Sequence, residues 1–490
     1  MITMKKILFT HSYFYRFDPK QWAAKQPYPP LGTIYAASVM RQAGYDVDLF
    51  DTALIESPEI ISVQIRNKKP DYLVIYDDGF NYLTKMCLTN MRDAAFRMAE
   101  IAKENGITVI MSSSDAADHY EKYLQHGVDF VVIGEGELTL KELISKIDSG
   151  EKNYNQIDGL AFKENSEIIK TSQRQIVKEL DSFPIPAWDL VDISSYKKIW
   201  IENHGYFSLN IATTRGCPFK CNWCAKPIYG NRYNSRSPQK VADEIEFLLN
   251  NFQPDHFWMC DDIFGLKPGW VQEFRNVIKV KGLKFKYKIQ SRVDLLLQED
   301  TISALAESGA ETVWVGAESG SQKILDAMDK GTTVKQIYEA TNNLKKNGIR
   351  TAFFLQFGYL GEEKADIEKT INMVLDLMPD DIGISVSYPL PGTKFYEKVK
   401  EQLNEKSNWT DSDELAMMYK AAFSPSYYKK LHRYVHKVYR RKQSLMNIKN
   451  VLLNPFTINR KKIRSALSIL YYVPSSIADS IVLKKLETAK

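Results

Sequence analysis

Three of the chain's five cysteines lie close together, at Cys217, Cys221 and Cys224 in the stretch IATTRGCPFKCNWCAK. A structural zinc site usually needs a second cysteine pair or a pair of histidines, and nothing of that kind follows Cys224. Iron–sulfur clusters are held by thiolates in tight runs, and a cubane with three protein ligands leaves one iron open to a substrate or cofactor. The triplet therefore predicts a catalytic iron–sulfur cluster, with a zinc site or a chance cluster as the alternative.

The triplet follows the first of six strand-like segments that alternate with helical ones in residues 205–400. These segments are SLNIATT, HFWMC, KYKIQS, ETVWVG, RTAFFLQFG and DIGISVS. The alternation predicts a partial (β/α)6 barrel, or a complete barrel, with its active site at the carboxyl ends of the strands. Further candidate residues follow the later strands, in CDDIFG, Arg292, GAESGS, QFGYLGE and SYPLPGT.

A separate alternation of strands and helices occupies residues 1–150. Its strand-like segments are Lys6–His11, Tyr45–Phe50, Tyr72–Tyr76, Thr108–Met111 and Phe130–Ile133. They predict a doubly wound, flavodoxin- or Rossmann-like domain with a ligand beyond the carboxyl edge of its sheet. We expect residues 151–204 to be a linker containing a short hairpin, GLAFKENSEIIK, and residues 401–490 to be a helical, basic region. The chain is thus predicted to be an α/β protein.

The composition, with 44% hydrophobic and 26% charged residues, is that of a soluble globular protein. The net charge of +5 gives no reason to expect a nucleic acid as partner. No apolar run approaches the ~18 residues of a membrane-spanning helix. Five cysteines in so long a chain are a poor disulfide framework, which favours the reducing cytoplasm. The isolated Cys87 and Cys260 are expected to be small core residues.

The motif CxxxCxxC after the first barrel strand, with Trp223 just before the last cysteine, resembles the radical S-adenosylmethionine superfamily. The resemblance implies that Cys217, Cys221 and Cys224 ligate a 4Fe-4S cluster. Its fourth iron would be chelated by the amino and carboxylate groups of S-adenosylmethionine, and reduction would yield a 5′-deoxyadenosyl radical.

The same resemblance implies contacts to S-adenosylmethionine at the later strand ends. Asp261 and Asp262 are candidates for the methionine amino group, and Arg292 for its carboxylate. Glu318, with Ser319 beside it, is the candidate ribose ligand, and Gln356 begins a glycine-bearing segment that could approach adenine. Capping of helix N-termini is the alternative for the acidic residues, and a structural salt bridge is the alternative for Arg292.

The first domain, with PPLG opening a helix and DFVVIGEGE near its end, resembles that of the cobalamin-binding subgroup. The resemblance implies that cobalamin lies on the carboxyl edge of the first sheet and faces the cluster. The contact residues expected from strand-end position are Gly32, Asp78, Ser113, Gly134 and Glu135.

Two features of the first domain depart from the pattern of cobalamin proteins. The DxHxxG motif that supplies a cobalt ligand is absent, and SSSDAADH replaces the subgroup's GGxH, which leaves His119 out of place. Cobalt without a histidine ligand, weak or absent cobalamin binding, and a flavodoxin-like domain without a cofactor all stay open.

The C-terminal end is basic, with YYKKLHRYVHKVYRRKQ (residues 427–443) and NRKKIRSALSILYYV (residues 459–473). Aromatic residues interleaved with lysine and arginine at helical spacing suit either an anionic membrane surface or packing on the barrel with a solvated basic face. Peripheral contact with the inner membrane surface and a lipid substrate remain hypotheses.

The leading interpretation is an enzyme that uses the 5′-deoxyadenosyl radical and methylcobalamin to methylate an unactivated carbon of a biosynthetic intermediate. Radical ring formation or oxidative rearrangement, as in a cyclase acting on a lipid or tetrapyrrole-like substrate, is the alternative. A non-catalytic metal-binding scaffold and a nucleic-acid modifier are further alternatives. The expected partners are a small-molecule or lipid substrate and an electron donor such as flavodoxin or ferredoxin.

Overall fold

The computed structural model describes residues 4–226, 228–403, 408–453 and 460–488. Its N-terminal part builds one sheet from seven strands: β1 (Lys6–Thr10), β2 (Asp46–Phe50), β3 (Tyr72–Tyr76), β4 (Thr108–Ser112), β5 (Phe130–Val132), β6 (Leu160–Glu164) and β7 (Glu167–Lys170). Their order in the sheet is β2-β1-β3-β4-β5-β6-β7. The first five strands are parallel and occur in the order of a flavodoxin-type doubly wound sheet.

Both faces of this sheet are covered, which explains why β1, β3 and β4 are apolar runs rather than alternating patterns. The helices of this part are α1 (Pro19–Ala24), α2 (Leu31–Gln42), α3 (Ile61–Lys68), α4 (Thr89–Glu104), α5 (Ser114–Asp118), α6 (Tyr120–Gln125) and α7 (Glu137–Asp148). α2 and α7 pack on one face, and α3 and α4 pack on the other. The predicted doubly wound fold is therefore confirmed.

The hairpin that was predicted within a linker continues the first sheet instead. β6 pairs antiparallel with β5, and β7 pairs antiparallel with β6. Leu160, Ala161 and Phe162 on β6 are buried in the domain core. The apolar start of β6 covers the edge of β5, which would otherwise leave unpaired backbone groups.

The second sheet follows α8 (Ile193–His204) and is an open half-barrel. The strands of this part are β8 (Ser208–Ile211), β9 (Thr214–Arg215), β10 (Asn234–Ser235), β11 (His256–Met259), β12 (Lys286–Ser291), β13 (Ala310–Glu318), β14 (Arg350–Phe357) and β15 (Asp381–Val386). β9 and β10 form a two-stranded ribbon, and the other six are parallel in chain order from β8 to β15. β8 and β15 do not pair with each other, so the partial barrel predicted from the sequence is confirmed.

Helices cover the outer face of the half-barrel. They are α9 (Pro238–Phe252), α10 (Trp270–Lys281), α11 (Val293–Leu296), α12 (Thr301–Ser308), α13 (Gln322–Ala327), α14 (Val334–Lys346), α15 (Lys364–Leu377) and α16 (Lys394–Val399). α9 begins where the sequence pattern places it, with Ser237 capping it and Pro238 in its first position.

The C-terminal region consists of α17 (Pro425–Leu453), α18 (Arg460–Leu467) and α19 (Ile469–Thr488), which pack on one another. The first half of α17 packs on the barrel through buried aromatic and aliphatic residues. The Tyr439 hydroxyl donates to the carbonyl of Pro379 (2.6 Å). Of the two expected basic segments, residues 427–443 therefore pack on the barrel, and Asn459, which begins the other, lies outside the described residues. Within the described residues, no helix is long and apolar enough to cross a membrane.

The stretch from Tyr13 to Pro30 crosses the open inner face of the half-barrel. The Tyr28 hydroxyl lies 3.1 Å from Ser208 Oγ on β8, and the Asn210 side-chain amide donates to the carbonyl of Pro29 (3.0 Å). The carboxyl edge of the first sheet consequently faces the barrel.

Candidate functional site

The cysteine loop leaves the barrel at the carboxyl end of β8, and Asp261 holds its first residues. Asp261 Oδ1 accepts hydrogen bonds from the backbone N–H groups of Thr213 (2.7 Å) and Thr214 (2.8 Å), and Oδ2 accepts from Thr213 Oγ (2.6 Å). Burial raises the pKa of Asp261 to about 6, against the opposing effect of these hydrogen bonds. Asp261 therefore positions the loop, and both of its oxygens are engaged within the protein.

The loop needs glycine immediately before its first cysteine. Gly216 has φ +80°, and a Cβ there would lie 2.3 Å from the carbonyl oxygen of Arg232. A larger residue would have to move that backbone, and with it Cys217.

All three thiols of the loop are free and partly exposed. Burial, with Asp262 nearby, raises the pKa of Cys224 to about 12, and burial also raises that of Cys217. In the described part of the chain, no three His, Cys, Asp or Glu side chains converge on a point that would take a single metal ion. Three soft thiol donors on one loop, without a fourth, suit a 4Fe-4S cluster with an open iron better than a closed zinc site.

Arg292 lies directly against the cysteine loop. Its Nη1 is 3.9 Å from Cys221 Sγ, and its guanidinium lies 3.7 Å from the centroid of the Phe219 ring. The same guanidinium donates to both oxygens of Asp294 (2.9 and 3.0 Å). Arg292 thus makes a structural salt bridge and also places positive charge at the cluster loop.

Glu318 ends β13 with φ +56°, a strained conformation for a residue with a side chain. It forms a buried ion pair with Lys330 (2.8 Å), whose ammonium lies 5.9 Å from the Trp223 ring. Burial lowers the pKa of Lys330, and the neighbouring Glu318 carboxylate raises it. The pKa of Lys330 is raised overall. Sequence reasoning missed Lys330, because it is twelve residues from Glu318 and lies outside the strand-end motifs.

Two other residues predicted to contact S-adenosylmethionine make hydrogen bonds to other side chains of the protein. Ser319 Oγ lies 3.1 Å from the Thr370 hydroxyl, and the Gln356 side-chain amide donates to Ser387 Oγ (2.9 Å). Both are buried at the strand ends.

Asp262 points toward the first domain and pairs with Lys85 (2.5 Å). Burial lowers the pKa of Lys85, but Asp262 and the neighbouring Cys224 raise it, with a net upward shift. The pair joins the two domains beside the cysteine loop. Lys85 was not a candidate from the sequence, since it follows the third strand in no recognisable motif.

The five residues predicted at the carboxyl edge of the first sheet are all buried. Asp78 accepts hydrogen bonds from the N–H groups of Leu31, Gly32 and Phe80. Gly32 packs so closely on Asp78 that a Cβ would lie 3.1 Å from it. These contacts join the start of α2 to the end of β3, and they give both residues a role in shaping this edge.

The remaining predicted residues also take part in structural contacts. Ser113 caps α5, and the backbone of Gly134 lies against Ile228 of the cysteine loop. Glu135 pairs with Arg215, which also bonds Glu137 (2.7 Å). Arg215 lies two residues before Cys217, so this second ion-pair cluster also joins the first domain to the loop.

The SSSDAADH segment forms a buried polar cluster around Asp115. Arg92 Nε donates to Asp115 (2.7 Å), and so does the Tyr123 hydroxyl (2.7 Å). His119 Nε2 lies 3.8 Å from Asp115, and burial lowers the pKa of this imidazole. Another histidine, His11, lies at the end of β1 with its Nε2 2.9 Å from Asp51, a pairing that sequence reasoning missed.

A cavity of about 270 Å³ lies between the carboxyl edge of the first sheet and the inner face of the barrel. At the sheet end, it is bounded by His11, Ala53, Asp78, Asn81 and Tyr82. At the barrel end, it is bounded by Trp258, Lys288, Gln290, Trp314, Phe354 and Gly383. The sheet end offers amide, hydroxyl and carboxylate groups at a flavodoxin-type ligand edge, which fits the amide-fringed corrin of cobalamin.

A three-cysteine loop at the carboxyl end of a half-barrel, facing the ligand edge of a doubly wound domain, defines a radical S-adenosylmethionine enzyme with a second cofactor domain. A model of the Radical SAM superfamily matches residues 211–374, and a model of the B12 binding domain matches residues 23–144. The chain belongs to the radical S-adenosylmethionine superfamily, in the group with an N-terminal B12-binding domain. Its cofactors are a 4Fe-4S cluster, S-adenosylmethionine and cobalamin.

Two relatives support this membership, and one solved structure shares the fold. An uncharacterized methyltransferase of Pyrococcus horikoshii is 30% identical over 78% of this chain and 81% of the relative. The anaerobic magnesium-protoporphyrin IX monomethyl ester cyclase of Cereibacter sphaeroides is 27% identical over 77% of this chain but only 61% of the cyclase. The cobalamin-dependent S-adenosylmethionine radical enzyme OxsB, with aqua-cobalamin and S-adenosylmethionine bound, has the same fold, with a TM-score of 0.74 at 16% identity over 98% of this chain and 72% of OxsB.

Proposed function

We propose that this enzyme methylates an unactivated carbon of a small-molecule biosynthetic intermediate. The observation that supports this most is that the cysteine loop and the ligand edge of the first domain lie next to each other, joined by the Lys85–Asp262 pair and by Arg215 with its two glutamates. When bound, the cluster with S-adenosylmethionine supplies a 5′-deoxyadenosyl radical, and cobalamin supplies the methyl group. The protein's task is to place both cofactors around one substrate and to exclude water.

In this proposal, Cys217, Cys221 and Cys224 ligate the cluster. Asp261 acts by holding the loop, since its carboxylate is saturated by Thr213 and Thr214. Its role as a ligand of the methionine amino group is the weaker alternative.

Three further residues are the best-supported contacts to S-adenosylmethionine. Arg292 and Asp262 are charged groups directly beside the cysteine loop, and Glu318 lies with Lys330 at a strained strand end. Ser319 and Gln356 are assigned to orienting these strand ends.

On the cobalamin side, Asp78 lines the cavity, but both of its oxygens already accept backbone hydrogen bonds, so it would hold the edge that faces cobalamin. Direct contact with cobalamin is the weaker alternative for Asp78, as direct cofactor contact is for Asp261. Gly32, Ser113, Gly134 and Glu135 would shape the edge through the contacts described above.

Replacing Cys217, Cys221 or Cys224 with alanine should abolish iron and sulfide binding under anaerobic reconstitution. Cys87→Ala and Cys260→Ala are the matched controls, since both are buried cysteines outside the triplet. A triplet variant that retains a full cluster would contradict the assignment.

Ring formation or oxidative rearrangement is the second candidate, favoured by the similarity to the cyclase. The two reactions differ in the fate of S-adenosylmethionine, because only methylation consumes its methyl group and releases S-adenosylhomocysteine. Anaerobic turnover with methyl-labelled S-adenosylmethionine should therefore give a labelled product, with S-adenosylhomocysteine alongside 5′-deoxyadenosine. Formation of 5′-deoxyadenosine alone, with an unlabelled product, would contradict methylation and favour ring formation or oxidative rearrangement.

The proposal includes an external one-electron donor such as flavodoxin or ferredoxin, and a cytoplasmic location with peripheral contact at an anionic membrane surface. The membrane contact is supported by the C-terminal helices. More than half of the large apolar side chains that are exposed on the described residues lie between 445 and 482, among them Leu452, Leu453 and Leu470. Lys449 and Arg464 on the same helices supply positive charge.

A further inference from the structure

The barrel end of the cavity is lined by alternate residues of the parallel strands, which point inward because side chains alternate along a strand. They are Trp258, Lys288, Gln290, Trp314, Phe354 and Gly383. In β12 to β15 these positions are only half-buried, while the residues between them are buried against the outer helices. The inner face is therefore a lined space and not a packed core.

Lys288 is the charged residue at this end of the cavity. Its ammonium lies 5.2 Å from the centroids of both the Tyr28 and the Trp258 rings. Among the described residues, it makes no ion pair and no hydrogen bond to a side chain or carbonyl group. A cation that is half-buried among aromatic rings without an anion is costly, unless a ligand supplies one.

The other charged groups of the cavity do not neutralise Lys288. Asp78, at the far end, already accepts three backbone hydrogen bonds. Lys20 lies at the exposed rim and adds a second positive charge. The cavity therefore favours a ligand with a negative charge.

The wall beside Lys288 is apolar and flat. The rings of Trp314 and Phe354 stack at 4.6 Å with an interplanar angle of 26°. Gly383 makes room for them, since a Cβ there would lie 3.2 Å from Trp314 and 3.4 Å from Phe354. Such a wall packs against a flat or ring-shaped apolar group.

We propose that the substrate carries a carboxylate or phosphate group that pairs with Lys288, and an apolar ring system that packs on Trp314 and Phe354. The proposal rests on the proposed function, because it names the class of substrate that the enzyme would methylate. It assigns a specificity-determining role to Lys288, which the sequence places in the strand segment KYKIQS but does not mark as a candidate site residue.

The proposal predicts a pH dependence of binding. Burial lowers the pKa of Lys288 to about 8. The side chain is therefore positively charged below that pH, and the charge is lost as the pH rises through it. Of the titratable groups that face it, His256 has its pKa lowered to about 3 by burial and then by Lys288 itself. Burial raises the pKa values of Cys260 and Tyr28 well above 8. Across the cavity lie Asp78, His11 and Lys20, none of which contacts the ammonium.

The test is equilibrium dialysis of the reconstituted holoenzyme with three probes: 2-naphthoate, 2-naphthyl phosphate and neutral 2-naphthamide. Lys288→Met should lower the affinity for one or both acidic probes at least about tenfold at pH 7. The affinity for 2-naphthamide should stay unchanged. The stronger acidic probe identifies carboxylate or phosphate as the preferred group. Its affinity for the unmodified enzyme should fall above about pH 8.

Lys286→Met is the matched control, because Lys286 lies two residues earlier on the same strand, is exposed, and does not line the cavity. It should leave all three affinities unchanged. Trp314→Leu keeps the cation and should weaken all three probes. Equal affinities of the Lys288→Met and unmodified enzymes for both acidic probes would overturn the proposal.

Cofactor retention separates this inference from the proposed function. In Lys288→Met, the iron, sulfide and cobalamin contents should be unchanged, and reductive cleavage of S-adenosylmethionine without substrate should persist. Loss of cobalamin from this variant would show that Lys288 serves the cofactor and would refute the substrate assignment. A labelled-methyl experiment that eliminates methylation would leave the binding result intact.

Discussion

Lys85 of the first domain and Asp262 of the barrel form an ion pair with an N–O distance of 2.5 Å, beside the loop that carries Cys224. The two residues are 177 positions apart in the chain. Their pairing joins the first domain to the barrel beside the cysteine loop, where the two cofactor sites face each other.

Breaking this pair should loosen the interface between the domains. Lys85→Met should lower the free energy of unfolding by about 1 kcal/mol, because the ion pair between the two domains is lost. Thermal unfolding of the anaerobic protein measures this. The swapped pair Lys85→Asp with Asp262→Lys should recover part of the loss, and a double variant no better than the sum of its parts would argue against a direct interaction.

Glycine at position 216 is expected to be essential for the cysteine loop. Gly216→Ala should lower the free energy of unfolding by about 2–4 kcal/mol and reduce cluster content, because its Cβ would collide with the Arg232 carbonyl. Gly230→Ala is the matched control in the same loop, since φ is also positive there but no atom lies within 4 Å. It should cost about 1 kcal/mol and retain the cluster. Equal cluster loss in both variants would mean that backbone conformation, rather than the collision, is what matters.

The stability of the protein should fall with rising pH because of Glu362. Burial raises its pKa to about 8, although a hydrogen bond from the Gly358 N–H opposes this. Between the pKa of an exposed glutamate and about pH 8, the folded state holds a proton that the unfolded state has released. This contribution to stability is complete below the unfolded pKa and is lost as the pH rises through about 8.

Glu362→Gln should remove this part of the pH dependence, with a gain in stability of up to a few kcal/mol at pH 8 relative to pH 5. Denaturant unfolding at the two pH values measures it. Glu363→Gln, at the neighbouring exposed N-cap of α15, removes a carboxylate from the same segment and is the comparison for the size of the change. A parallel profile for Glu362→Gln and the unmodified protein would contradict the assignment.

The exposed apolar residues of the C-terminal helices should bind anionic membranes. Replacing both Leu452 and Leu470 by aspartate should reduce sedimentation with phosphatidylserine-containing vesicles by at least about tenfold. The reason is that each substitution removes an apolar side chain that would be buried in the membrane. Val280→Asp on α10 is the control, since Val280 is 88% exposed but lies away from these helices. Neutral vesicles should bind weakly. If the double variant instead dissociates a dimer in sedimentation experiments and leaves vesicle binding unchanged, the surface is a contact between two copies of the chain.

The linear order of residues determined the parallel strands of both sheets. The predicted strand segments match β1 to β5 and the six barrel strands, because apolar runs and their glycine-ended helices are local patterns that depend on neighbours within a few residues. The cysteine triplet was local too, and its place after β8 followed from the same pattern. The hairpin β6–β7 was predicted to lie in a linker, and it extends the first sheet instead. Its apolar start does not show which strand it will pair with, because that strand is determined by the tertiary structure.

The tertiary structure alone decided the partners of charged groups. Lys85, Lys330 and Lys288 have unremarkable sequence surroundings. In the folded chain, Lys85 lies beside the cysteine loop, Lys330 pairs with Glu318 at a strained strand end, and Lys288 lines the cavity. Asp261 was predicted to bind a cofactor, and that stays a prediction. Its hydrogen bonds to Thr213 and Thr214 at the start of the cysteine loop could not be read from the sequence, because they depend on where β8 and β11 end relative to each other. The energy of a charge is set by the groups within a few ångströms of it, and those groups come from distant parts of the chain.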